Sequence, residues 1–379
     1  MIAHYRLRAG LDDAAEKLGS GSGKFTVAFI GGSVTEGAGA SHADRTSYRA
    51  LTERYLMRRY TDVAFTFVNA AIGGTDSVYG AYRFREHVLK QGPVDLLLVE
   101  FAVNDAGDRT ASLRAMEGIV RQAKRSNPRI AICFLYSPNT AGLRLFQEKG
   151  KVQPAIEHHE EVAAYYGLPS VSIARSIYEG ITAGELKWED FSGDEVHPND
   201  AGFGLYAGFV EAFLQETLGH RTVGGFDSVE AAVLPPPLDP SCYEAAKLLA
   251  PGSAERAPGW RHERPWIFEQ ICYWKLPDEA LIGDAAGASF RLNFSGSAVG
   301  FVVLAGMDLG DVEYAIDGSP YERMPLFDAR CTQFYRPKTV LLAEDLMPGR
   351  HAVDIRIAAD TPEFSTGRCV RMLYFMVNA

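Results

Sequence analysis

The sequence predicts an α/β protein: a three-layer α/β/α sandwich around a five-stranded parallel sheet, followed by an all-β, jelly-roll-like sandwich. Three observations carry this. Between Phe25 and about Ile173, short β-branched and aromatic runs alternate with helical stretches, the pattern of a parallel sheet covered by crossover helices. The stretch Val233-Leu234-Pro235-Pro236-Pro237-Leu238-Asp239-Pro240 can continue neither a helix nor a central strand. Beyond it the chain turns to period-two alternation, clearest where Val353, Ile355 and Ile357 are interleaved with Asp354 and Arg356.

Strands are expected at Phe25–Ile30, Val63–Val68, Leu96–Phe101, Ile130–Leu135 and Pro169–Ile173. Helices are expected at Ser47–Tyr60, Tyr79–Lys90, Ser112–Ser126 and Pro154–Tyr166, the last stopped by Gly167-Leu168-Pro169, with Ala201–Leu218 closing the first half. In the second half Asp317-Gly318 inside Val312–Tyr321 reads as a hairpin turn, and strands recurring about every ten residues indicate a sandwich. The expected division is a catalytic-size domain at residues 1–230, a Pro-rich linker at 231–245 and a β-sandwich at 246–379. No internal repeat links the halves.

At ~100–200 residues per domain, 379 residues give two or three domains and ample core. Lys plus Arg number 38 against 48 Asp plus Glu, a net charge of −10, so no basic stripe is available for nucleic acid. The apolar stretches Val94–Val103 and Ala298–Met307 fall short of the ~20 residues that span a bilayer, and no membrane partner is expected. The first residues lack the apolar region of a signal peptide, which leads to an expected cytoplasmic location. Five scattered cysteines without a C-x-x-C pair read as reduced thiols.

Two Gly-rich stretches fail as nucleotide cradles. Gly19-Ser20-Gly21-Ser22-Gly23-Lys24-Phe25 has Leu at position 18, Phe after the lysine, and a place before the first strand, so it reads as a flexible lead-in. Gly31-Gly32-Ser33-Val34-Thr35-Glu36-Gly37 follows the strand but lacks G-x-G-x-x-G and sets Glu36 where a phosphate would be repelled. The run Glu157-His158-His159-Glu160-Glu161 lacks zinc-site spacing and reads as a solvated helix face. No cofactor and no metal are expected.

What the first strand's loop does offer is a serine on a tight turn at the carboxyl end of the strand, where open α/β sheets place ligands. Taken alone, Ser33 reads as a helix cap. Parallel topology, however, brings Asn69-Ala70-Ala71-Ile72-Gly73-Gly74-Thr75 and Val103-Asn104-Asp105 to the same edge. A glycine amide and an asparagine carboxamide there would supply donors for a developing oxyanion. Ahead of the terminal helix, Asp194-Glu195-Val196-His197 is spaced so that the carboxylate reaches one imidazole nitrogen and leaves the other free as a base.

This constellation resembles the SGNH, or GDSL-type, hydrolase superfamily over roughly residues 24–220. The resemblance implies a flavodoxin-like arrangement of the sheet and a serine esterase. It implies Ser33 as nucleophile, Gly74 as backbone donor and Asn104 as side-chain donor beside the Ser33 amide, with Asp194 and His197 completing a triad. Asn69, five residues before Gly74, favours that glycine over Gly73. The usual G-D-S is here Gly31-Gly32-Ser33, and the usual G-x-N-D is Ala102-Val103-Asn104-Asp105, departures that bear on the acyl pocket more than on the reacting groups. Thr35 excludes the G-x-S-x-G elbow of the α/β-hydrolases.

A glycine-rich first block followed by a C-terminal sandwich is similar to bacterial carbohydrate esterases, which implies a small acyl ester, an O-acetylated saccharide, as substrate. A short-chain lipid esterase, thioesterase or acyltransferase would use the same groups, and a glycan-binding protein with a silent hydrolase domain is the alternative from another class. Val103 and Trp188 are the expected pocket-lining residues. Trp260, Trp266 and Trp274 in the second half read as packing residues before they read as a sugar platform.

Overall fold

Leu96–Glu100 and Ala131–Leu135 are buried along their whole length, as strands covered by helices on both faces must be. The computed structural model describes residues 1–21, 23–105, 107–218, 234–256 and 258–379. The expected domain end at residue 230 and linker residues 231–233 lie outside the described residues. The chain forms two units, Met1–Glu244 and Ala245–Ala379.

In chain order the first unit contains β1 (Tyr5–Arg6), α1 (Asp12–Gly19), β2 (Gly23–Gly31), α2 (Ser33–Glu36), α3 (Ala43–Thr46), α4 (Tyr48–Arg59), β3 (Val63–Asn69), α5 (Ser77–His87), β4 (Leu96–Glu100), α6 (Arg109–Ser126), β5 (Ala131–Leu135), α7 (Thr140–Lys149), α8 (Pro154–Tyr165), β6 (Ser170–Val171), α9 (Ile173–Thr182), α10 (Trp188–Phe191) and α11 (Asp200–Leu218). The sheet order is β1-β6-β5-β4-β2-β3. Five strands are parallel, as expected, and the sheet is extended to six by β1, which pairs antiparallel with β6. A two-residue strand leaves no periodicity to read, hence its absence from the sequence-based expectation.

Alternate strand residues serve opposite layers. Phe25, Val27, Phe29, Leu96, Leu98 and Cys133 pack with Leu18 of α1, Tyr48 of α4 and Phe203, Tyr206 and Phe213 of α11. Ala28, Ile30, Leu97, Val99, Ile132 and Phe134 are equally buried and face the other way, toward the layer in which α5 packs on α6 and α6 on α8. The last parallel strand is shorter than the sequence suggests because Ser172 caps a helix, its side chain accepting the Arg175 N–H. The Gly-rich lead-in is likewise more ordered than expected: Gly19 ends α1, and Gly21 and Gly23 take positive φ in the turn into β2.

Residues 234–244, read from sequence as part of a linker, are strapped to the first unit. Glu117 of α6 accepts the N–H groups of Leu238 (2.6 Å) and Asp239 (3.0 Å), Arg121 donates to the Pro235 carbonyl, and Arg114 pairs with Asp239. Gly118 lies so near Tyr243 that a Cβ there would press on its backbone.

The second unit holds two antiparallel sheets. One has the order Arg336–Ala343, Ala298–Ala305, Val370–Asn378, Ala280–Gly283, Trp260–Glu263, with Ala246–Leu249 also pairing with Val370–Asn378. The other has the order Glu322–Met324, Val312–Ile316, Gly349–Ile357, Ser289–Gly296, Glu255–Arg256. Val353, Ile355 and Ile357 are buried. Asp317 and Gly318 both have positive φ, 51° and 79°, as the two central residues of a twisted hairpin turn require. Trp260 packs edge-on against Phe290 and Trp274 stacks on Phe334.

Candidate active site

The chain leaves β3, β2 and β4, which are neighbours, at Asn69, Gly31 and Glu100. From β2 the next strand is added on one side and the one after it on the other. Strand order therefore reverses between β2 and β4, the place where open α/β sheets hold ligands.

The turn after β2 is built from close contacts. A Cβ on Gly31 would strike Thr35 Oγ1 and the Glu100 carbonyl, and a Cβ on Gly32 would strike the Asn104 carboxamide. Gly32 is the N-cap residue of α2, and the short helix ends at Gly37, in the left-handed region at φ +106°. Ser33 thus opens the helix without capping it. Its Oγ lies 2.8 Å from His197 Nε2.

His197 is delivered by a turn that Asp194 holds from within. Asp194 Oδ1 accepts the N–H groups of Val196 and His197, each at 2.7 Å, and Oδ2 meets His197 Nδ1 at 2.7 Å. Partial burial opposes ionisation, but these backbone donors and the imidazole hold the Asp194 carboxyl below its usual range. The Trp188 indole N–H donates to the Asp194 carbonyl at 2.6 Å and its ring packs against Phe191, so this tryptophan braces the turn. From the other side Gly39, at φ +93°, approaches so closely that a Cβ would strike the Pro198 carbonyl. Asp200 then receives the Ser41 N–H and the hydroxyls of Ser41 and Thr46. Asp194 and His197 remain 54% and 31% exposed at their side chains, leaving both open to solvent.

Asn104 follows β4 in a turn closed by its own N–H on the Phe101 carbonyl, 2.9 Å. Its carboxamide makes no side-chain hydrogen bond among the described residues, and its buried Oδ1 has no partner. Next to it Asp105 is spent on structure: it accepts from the Ser77 N–H (2.9 Å), the Ser77 and Ser112 hydroxyls, and His159 Nε2 (2.7 Å). His159 is wholly buried, and Glu160 of the same helix is bonded to Arg8, Tyr136 and Ser170. The run 157–161 is therefore not the solvated face that its charges suggested, since α8 turns His159 and Glu160 inward. No group of three or more His, Cys, Asp or Glu among the described residues could hold a metal ion.

In the loop after β3, Gly73 is buried and its N–H donates to Glu36 of α2 at 2.9 Å. Gly74 is exposed, at φ +68°. Beneath these turns lie two buried charges that the sequence reading left without a role. Arg83 of α5 donates to the carbonyls of Ala70 and, at 3.1 Å, Gly31. Glu100 is fully buried, with Thr35 Oγ1 3.2 Å away and Tyr48 beyond it on the same hydroxyl. Burial pushes the Glu100 carboxyl up to about 7, against the pull of the Ser137 and Thr35 hydroxyls. A charged residue inside the apolar run 96–101 was the available signal for Glu100. Val103 is half-buried and packs on the core beside Asn104.

No curated protein matches the sequence. Among solved structures, a two-domain esterase (CEX) active on acetylated mannans, co-crystallised with mannopentaose, aligns over 98% of this chain and 95% of its own at 22% identity, with a TM-score of 0.80. A second structure of the two-domain esterase (CEX) active on acetylated mannans aligns over 97% of this chain and 95% of its own, again at 22% identity, with a TM-score of 0.78. A variant of Axe2, an acetyl xylan esterase from Geobacillus stearothermophilus, aligns over 52% of this chain and 96% of its own at 21% identity, with a TM-score of 0.42. At these identities the likeness to CEX shows a shared fold. Residues 29–205 match the model of the GDSL-like Lipase/Acylhydrolase family, and this match marks the protein as an ester hydrolase.

Proposed function

We propose that the protein is a serine esterase that removes short acyl groups, above all acetyl, from O-acylated saccharides. The observation that carries the reading is the continuous relay from Ser33 Oγ to His197 Nε2 (2.8 Å) and from His197 Nδ1 to Asp194 Oδ2 (2.7 Å). Ser33 Oγ attacks the ester carbonyl carbon while its proton passes to His197 Nε2. The imidazolium is stabilised and kept in one tautomer by the Asp194 carboxylate. The carbonyl oxygen, now anionic, is met by the N–H groups of Ser33 and Gly74 and the Asn104 carboxamide. Collapse expels the alcohol, which takes the proton from His197, and leaves an acyl-serine. Water, deprotonated by the same nitrogen, then releases the acid.

The saccharide is supported by the two-domain esterase that shares this fold over almost the whole chain and acts on acetylated mannans. The test compares the wild-type protein with Ser33→Ala on p-nitrophenyl acetate and on acetylated manno- and xylo-oligosaccharides. Acetate release by the wild type, and its loss below about a hundredth in the variant, is the expected result. Turnover of p-nitrophenyl acetate without acetate release from any acetylated saccharide would overturn the substrate assignment and leave the esterase.

A further inference from the structure

The candidate oxyanion loop contains two successive glycine amides, and two charged side chains, Glu36 at the surface and Arg83 in the interior, hold that loop. Glu36 closes α2, one turn after Ser33, and accepts the Gly73 N–H at 2.9 Å. That bond fixes the orientation of the Gly73-Gly74 bend relative to the nucleophile's own helix. Two further ties hold the same pair of turns together. The Ile72 N–H donates to the Gly31 carbonyl at 3.1 Å, extending the pairing of β2 and β3 past the sheet. Arg83, with no exposed surface, then fastens the Gly31 carbonyl and the Ala70 carbonyl with one guanidinium. Burying an arginine is costly unless it is satisfied by fixed partners. Here the partners are backbone groups of the two loops that carry Ser33 and Gly74.

We propose that Glu36 is a positioning residue for ester hydrolysis: by withdrawing the Gly73 N–H from the site it presents the Gly74 N–H to the developing oxyanion, with Arg83 holding the two loops in register. The proposal rests on the serine-esterase reading of Ser33. It depends on the reach and acceptor capacity of residue 36 and not on its charge, because the bond is to a neutral amide.

Glutamine keeps both reach and acceptor, whereas aspartate keeps the charge but is one methylene too short. The experiment measures kcat and KM for p-nitrophenyl acetate in Glu36→Gln, Glu36→Asp and Glu36→Ala, with melting temperatures alongside. Glu36→Gln should stay within about threefold of wild type. Glu36→Asp and Glu36→Ala should lose about tenfold to a hundredfold in kcat with KM nearly unchanged, since a displaced donor acts on charge present only in the transition state. Should Glu36→Ala not fold, the Gln and Asp pair still decides. Aspartate near wild type with glutamine impaired would show that charge is what matters and overturn the proposal, as would three variants alike, or losses confined to KM. A wild-type protein that turns over no ester would overturn the esterase reading itself, a result separate from any ranking of the variants.

Discussion

The carboxamide of Asn104 occupies the space in which a side chain at residue 32 would have to begin. In this chain the close approach leaves room for glycine at position 32 and for no larger residue unless Asn104 shifts. Asn104 Oδ1 is the first atom that a Cβ would meet, and the end of a short side chain is what would yield. Gly32→Ala should therefore fold with a nearly unchanged melting temperature and lose about tenfold or more in kcat, and Gly32→Asp should do no better. Full activity in Gly32→Asp would show that Asn104 accommodates the larger residue without losing its place.

On the proposed mechanism, Asn104→Ala removes the side-chain oxyanion donor directly. A donor that meets charge appearing only in the transition state should cost about two to three orders of magnitude in kcat with little change in KM. Steady-state kinetics on p-nitrophenyl acetate measures both. A raised KM at normal kcat would make Asn104 a substrate-binding residue instead.

The residues that carry the proposed chemistry were legible because their types and order are local: a serine between glycines after a strand, an asparagine after another, a histidine three residues past an aspartate. The residues that hold them were not. Arg83 acts on Gly31 and Ala70, carbonyls of other segments, and nothing near position 83 announces that partnership. His159 was misjudged because its neighbours are charged, yet Ile156, Val162 and Ala163 mark the buried side of the same helix and its spacing to them was readable. The prolines at 235–237 read as a stiff linker. That this stretch is strapped to the first unit depends on Glu117 and Arg121, which lie more than a hundred residues earlier.

Glu100 makes stability depend on pH in a direction opposite to that of most carboxylates. Its folded carboxyl is pushed up to about 7, whereas an unfolded glutamate titrates near ~4.3. Below the unfolded value both states are protonated and the contribution is fully present. As pH rises the unfolded chain releases this proton first, so the contribution is lost progressively up to the folded value. Its size is on the order of 4 kcal/mol at most. Glu100→Gln removes the titration, so the melting temperature of the variant minus that of wild type should grow between pH of about 5 and about 8. A difference that is flat or shrinks over that range would mean that Glu100 is ionised in the folded protein throughout.

On the proposed mechanism, acyl length should be set by what lies beside Asn104. Val103, half-buried on the core next to Asn104, is β-branched and stiff at χ1. Between Asn104 and Asp194, Leu143 and Ile156 are buried, while Trp188 is committed to the Asp194 carbonyl. These groups are spent on packing and bracing, whereas a long acyl chain needs a wide apolar groove. Each methylene left without a good pocket forgoes only about 1 kcal/mol or slightly more. The fall from acetate to butyrate should therefore be at least roughly tenfold in kcat/KM. Val103→Ala should narrow that ratio by relieving butyrate more than acetate, with Ser33, Asn104 and His197 untouched. A series of p-nitrophenyl esters measures this directly, and rates that climb toward octanoate would move the enzyme to the lipid-esterase alternative with the same reacting groups in the same roles.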